Sequence, residues 1–207
     1  MSANAHPRIV KWPSEGEITI AFEAYALALG KVAFAWNFLH ERLGRVFIAV
    51  CQHKPNTSLE IWYSTESDRV KQHMLKAAIA ATSEWPDFLP DRTKEDLLWL
   101  ANTVMKLGDA RNDAVHAPCI LNTDADGTKM IAAPEFFSRH GRAKKLRGKK
   151  LLVEFDFLER WMEELSRFSE KTASALLSER APWPDRPSQP PRKPNKKIDL
   201  TAPPRTI

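Results

Sequence analysis

Apolar positions recur along the first quarter of the chain at steps of three and four. Phe22, Ala26, Leu29, Val32, Trp36, Leu39, Leu43, Val46 and Val50 form one continuous stripe, which predicts a single long helix with one buried face. Pro7, Pro13 and Gly16 mark residues 1–19 as an irregular lead-in, and Lys54-Pro55-Asn56 reads as the helix stop. A second helix is expected after Thr65, where Thr65 and Asp68 have capping spacing. It would turn Val70, Met74, Ala77, Ala78 and Ala81 inward before Pro86. A third runs from about Thr93 to His116 between Pro90 and Pro118, and Ala117, preceding a proline, is biased away from helical geometry.

The pattern then changes. CILNT and TKMIAA flank Asp124-Ala125-Asp126-Gly127 and predict a hairpin over about 119–133. A basic loop at 139–150 follows. Asp156 and Glu159 again show capping spacing, and Phe157, Leu158, Trp161, Met162, Leu165, Phe168, Thr172 and Leu176 predict a fourth amphipathic helix. Eight prolines fall beyond Ala181, so 181–207 reads as a disordered tail. The fold class is therefore all-α, a bundle of four to five helices over residues 20–180 with a small β-hairpin insertion.

Composition narrows the class. With 43% hydrophobic and 28% charged residues, the 207-residue chain can build an ordinary core. No uninterrupted apolar run reaches the roughly 18 residues of a membrane span, and the first residues lack the apolar centre of a secretory signal, so a cytoplasmic protein without membrane contact is expected. Cys51 and Cys119 cannot form a disulfide framework and read as small buried thiols; Cys51 and His53 are too sparse for zinc, and no metal or cofactor is expected.

Charge is unevenly placed. The tail holds Arg186, Arg192, Lys193, Lys196, Lys197 and Arg205 against Asp185 and Asp199. The segment RHGRAKKLRGKK carries Arg139, Arg142, Lys144, Lys145, Arg147, Lys149 and Lys150 with no acid, while the rest of the body has 18 bases against 24 acids. That segment is either a solvated loop or a footprint for a polyanion such as RNA.

Polar chemistry collects at the end of the third helix. Leu97, Ala101, Val104, Met105 and Gly108 set its apolar face, yet Arg111 projects within about 20° of Val104, and Asn112 and His116 within about 20° of Met105. Asn112 and His116 are four apart, so the amide can orient the imidazole. A histidine in a last helical turn is suited to proton transfer, and a guanidinium beside it to clamping phosphate. Alternatively, Arg111 pairs with Asp109 or Asp113 and His116 merely caps the helix. His40 and His73 read as surface residues, and Trp36, Trp99 and Trp161 as core or interface anchors. Glu66, Asp68 and Arg69 either approach the cleft or form a solvated face.

RNDAVH, Arg111 to His116, resembles the RNxxxH form of the Arg-x4-6-His motif of the HEPN family (higher eukaryotes and prokaryotes nucleotide-binding domains). The resemblance covers one hexapeptide, placed as in the family at the end of a long helix. It implies a helical bundle paired as a homodimer, acting as a metal-independent endoribonuclease of toxin-antitoxin or defence type, with a nucleotidyltransferase as the antitoxin partner. Arg111 and His116 would be the catalytic pair and Asn112 the polar residue beside the arginine. In the implied reaction the ribose 2′-hydroxyl attacks the neighbouring phosphorus. Rival readings are a non-catalytic helical interaction module and nucleotide binding without cleavage.

Overall fold

The computed structural model describes residues 14–52, 55–123, 130–133 and 139–192. Helix dominates. Its elements are α1 (Glu15–Cys51), α2 (Pro55–Tyr63), α3 (Asp68–Ala81), α4 (Thr93–His116), β1 (Ile120–Thr123), β2 (Met130–Ala133), α5 (Gly141–Leu146) and α6 (Leu151–Leu177). The strands pair antiparallel, from Ile120 opposite Ala133 to Thr123 opposite Met130, and β2 lies beside α1. The connecting Asp-Gly segment falls outside the described residues.

α1 starts earlier than its apolar stripe suggests. Ser14 and Glu17 cap each other reciprocally, which satisfies free amides of the first turn and extends the helix back over residues assigned to the lead-in. At the other end Gln52 takes a left-handed conformation (φ 50°) and ends the helix. Pro55 then opens α2 rather than only stopping α1, since a first helical position needs no amide donor.

α1 and α6 form the spine of the fold. Tyr25 stacks on Phe155, Lys31 approaches Glu159, and Arg42 approaches Glu170, so the contacts advance together and the two helices run parallel. α3 and α4 are antiparallel: the start of α3 lies near the end of α4, while Lys94 donates to the Ala80 carbonyl. Between them lies a core of Leu39, Leu43, Leu75, Ile79, Leu97, Leu100, Phe155, Met162 and Leu165, all fully enclosed. The expected inward set of α6 is buried throughout. That of α3 is not: Gln72, Leu75 and Ile79 face inward, whereas Val70, Ala77 and Ala81 are exposed. The larger Leu75 and Ile79 side chains outweigh the alanines in setting which way the helix turns.

Two caps also shift. α3 is capped by Ser67, with Thr65 instead accepting from the Ser67 amide. α6 begins at Leu151, so Asp156 lies inside the helix, paired with Arg160. Within the 139–150 loop, Ala143 and Leu146 are buried and draw the chain into α5. Neither cysteine is fully buried; Cys119 donates to the Tyr25 hydroxyl.

The first part of the tail is held against the body rather than disordered. Its extended, proline-rich backbone needs few hydrogen bonds, and its side chains find carboxylates. Asp96, only 1% exposed, accepts from Trp183 Nε1 at 2.8 Å and from Arg186. Arg92 meets Asp185, and Arg192 lies over the Phe157 ring while reaching Glu154. Residues 193–207, with the remaining tail bases, lie outside the described residues.

The beginning of α1 contrasts with this. No residue from Glu15 to Lys31 is fully buried, and Ile20, Leu27 and Phe34 are each more than 60% exposed. Among the described residues α1 is the one helix long and apolar enough to cross a membrane, and hardly any of its most apolar 18-residue window is buried. The expectation drawn from uninterrupted apolar runs overlooked it because Glu23 and Lys31 interrupt the apolar stretch.

Asp96→Ala should release the strap by leaving Trp183 and Arg186 without their buried acceptor. A loss of about 2–3 kcal/mol in urea unfolding, with faster deuterium exchange across 182–192, is the expected result.

Candidate functional site

Near the end of α4 a cleft of about 650 Å³ opens between α1, α3, α4 and α5. α1 contributes Trp36 at its base. α3 contributes Asp68, Arg69 and Gln72 from its first turns, and α4 contributes Gly108, Asp109, Asn112 and Asp113. His140 before α5, and Arg142 and Lys145 within it, add to the lining. Gly108 is required by close packing: a Cβ there would lie 2.9 Å from the Trp36 ring.

Asp113 joins the two sides of the basic wall. It is buried, accepts from Lys145 Nζ at 2.8 Å and lies 3.6 Å from Arg142. α5 is thereby drawn onto α4, although its amino end has no side-chain cap. Lys145 and Arg142 remain 64% and 42% exposed, so their charges still face solvent at the cleft. Arg69 adds a third exposed cation from the opposite wall.

The base is unusual in its polarity. Asp68 accepts from Trp36 Nε1 at 2.7 Å, and its other oxygen lies 3.4 Å from His40 Nδ1 without hydrogen-bond alignment. His40, expected at the surface, is 8% exposed and packs on Trp36 at a centroid distance of 4.5 Å. It stands one turn from Trp36 on the buried stripe, a position legible from spacing alone. Burial lowers its pKa to about 4; Asp68 opposes that shift, while Lys71 and Arg111 reinforce it. Both ring nitrogens are buried without a hydrogen-bond partner among the described residues.

The sequence-derived site divides here. Asn112 lines the cleft, but Arg111 and His116 are not among its walls. Arg111 folds back instead: Nη1 donates to Asn112 Oδ1 at 2.9 Å, the guanidinium lies 5.8 Å over the Trp36 ring, and Nε is enclosed without a partner. Asn112 is thus engaged by Arg111 rather than by His116. His116 is exposed and has no side-chain hydrogen bond or ion pair to any described residue. The apolar face of α4 also continues past Gly108, through Ala114 and Ala117, with Asp113 the buried polar member. Asp113 serves the basic wall, and neither it nor Asp109 pairs with Arg111.

Of the seven bases predicted to bind RNA, Arg142 and Lys145 line the cleft. Lys149 approaches Glu154 at 3.6 Å, and Arg139, Lys144, Arg147 and Lys150 are exposed outside its lining. Asp68 and Arg69 do reach the cleft. Trp36, Gln72 and His140 join it through tertiary packing. Among the described residues no group of three or more His, Cys, Asp or Glu is placed to hold a metal ion. Comparison with protein-family models, curated proteins and solved structures gives no match.

The buried histidine makes stability depend on acid. Its folded pKa lies below the unfolded value of about 6.5, so the unfolded chain binds the extra proton between those values and stability falls as pH drops from about 6.5 toward 4. Urea midpoints should decline across that window, by up to about 3 kcal/mol in unfolding free energy, and His40→Phe should flatten the decline.

Proposed function

We propose that the chain is an RNA-binding protein of HEPN type that takes a sugar-phosphate strand into the cleft beside Asn112. One observation carries this reading: two features far apart in sequence, the RNDAVH turn and the basic segment, meet at the same opening, tied together by Asp113 and Lys145. Arg69, Arg142 and Lys145 offer solvent-facing cations on the walls of one cleft, and the mixed polar walls suit a hydrated, charged ligand better than an apolar one. The carboxylates of Asp68 and Asp113 are already engaged by Trp36 and by Lys145, which limits their repulsion of an incoming phosphate.

For cleavage, the chemistry proposed is metal-independent. The ribose 2′-oxygen attacks phosphorus, the 5′-oxygen leaves, and a 2′,3′-cyclic phosphate remains. One His116 takes the hydroxyl proton, the His116 of a second copy returns one to the leaving oxygen, and Arg111 stabilises the phosphoryl charge. That scheme requires Arg111 to swing off Trp36 and the His116 side chains of both copies to reach the cleft, whose walls neither residue lines. The fold-back of Arg111 favours a second reading, binding without cleavage, in which the arginine braces Trp36 and Asn112.

Fluorescence anisotropy with single-stranded RNA over a salt series separates the parts. Arg69→Ala with Arg142→Ala should weaken binding about tenfold or more and reduce the salt slope by about two charges. RNA incubated in chelator should be cut by the wild type and lose about 10²-fold or more of its rate in His116→Ala and Arg111→Lys. Binding without scission leaves the second reading; salt-insensitive or absent binding overturns both.

A further inference from the structure

The first half of α1 carries a face that the described residues do not cover. Ile20, Leu27 and Phe34 are seven residues apart and drift by only about 20° per step; Phe38 returns to within about 20° of Leu27. Their exposures are 68%, 64%, 67% and 43%, and together with the alanine-rich surface between them they present several hundred Å² of apolar area. That is comparable with one side of a standard interface, about 800 Å², and larger than the patches monomers usually leave open.

The charges on this face specify how it is covered. Glu23 lies one turn before Leu27 and Lys31 one turn after it, both exposed. Among the described residues Lys31 has a long, 3.9 Å approach to Glu159. A parallel, in-register pairing of two copies would set Glu23 against Glu23 and Lys31 against Lys31. An antiparallel pairing centred on Leu27 does the reverse: Glu23 comes level with Lys31 of the second copy, Ile20 with Phe34, and Leu27 with itself. Opposite charge and bulky apolar side chains then match under one two-fold axis, and Gly16 leaves room level with Phe38.

We infer that α1 is a self-complementary dimerisation helix, with two copies of the chain packed antiparallel about Leu27. The face belongs to α1 alone and shares no residue with the cleft, so the inference stands whether or not RNA binds there. The RNDAVH resemblance already implies a homodimer; what is new is the helix that pairs, its register and its orientation, which the resemblance does not supply.

Light scattering on the full chain tests it. The wild type should have twice the 23.6 kDa chain mass. Leu27→Glu should be a folded monomer by circular dichroism. Glu23→Lys should weaken association at least about tenfold, because it levels like charges across the seam, and adding Lys31→Glu to it should restore the dimer. A monomeric wild type overturns the proposal, as does failure of the double reversal to restore a dimer when both variants remain folded. So does a monomeric wild type that co-sediments with phosphatidylcholine-phosphatidylglycerol vesicles in a Leu27-dependent manner, which would make the face a membrane-binding one.

Discussion

A carboxylate nearly withdrawn from water organises the cleft end of this molecule. Asp113 sits on the inward side of α4 and would be costly to bury alone. The ammonium of Lys145 and the guanidinium of Arg142 neutralise it, and in doing so they fasten a six-residue helix to α4. α5 is too short to be stable by itself. It is held by this ion pair at one side and by Ala143 and Leu146 in the core at the other. The same two cations keep part of their surface toward solvent, so one arrangement is structural and leaves a positive wall. The cleft exists because the anchor of its basic side lies within the motif-bearing turn.

Below that wall the molecule concentrates groups that do not tolerate charge equally. Asp68 receives the indole of Trp36, and His40 is confined beside it with its imidazole kept neutral by burial. Arg111 covers the other side of the indole. Trp36 is therefore the shared surface for a carboxylate, an imidazole and a guanidinium, and Gly108 is what lets its ring approach α4. Movement of any one of these groups would be felt by the others, which gives the floor of the cleft a collective character.

The sequence carried much of the architecture and less of the site. The prolines flanking α4 and the apolar stripe of α6 define those elements because local sterics and periodicity act there without competition. α2 was hidden because proline terminates one helix and begins another equally well. The register of α3 depended on side-chain volume, and the strap depended on carboxylates about ninety residues away. Within the site, Asn112, Arg142 and Lys145 could be found from composition and helix position. The fold-back of Arg111 could not, since a long side chain chooses its partner only after α1 has placed Trp36 beside it. Asp113 was legible only as a possible partner of Arg111, and its true partners come from a segment whose helical form was itself unexpected.

The parallel pairing of α1 with α6 has a consequence during synthesis. Tyr25 meets Phe155 and Arg42 meets Glu170, so the first helix made must wait for more than a hundred further residues before its main packing surface is covered. In that interval α2 and α3 shield only the second half of α1, through Trp62 on Phe47 and Asp68 on Trp36, and the first half stays open. An up-and-down bundle of the same size, in which each new helix shields the one before it, leaves less apolar surface open during synthesis.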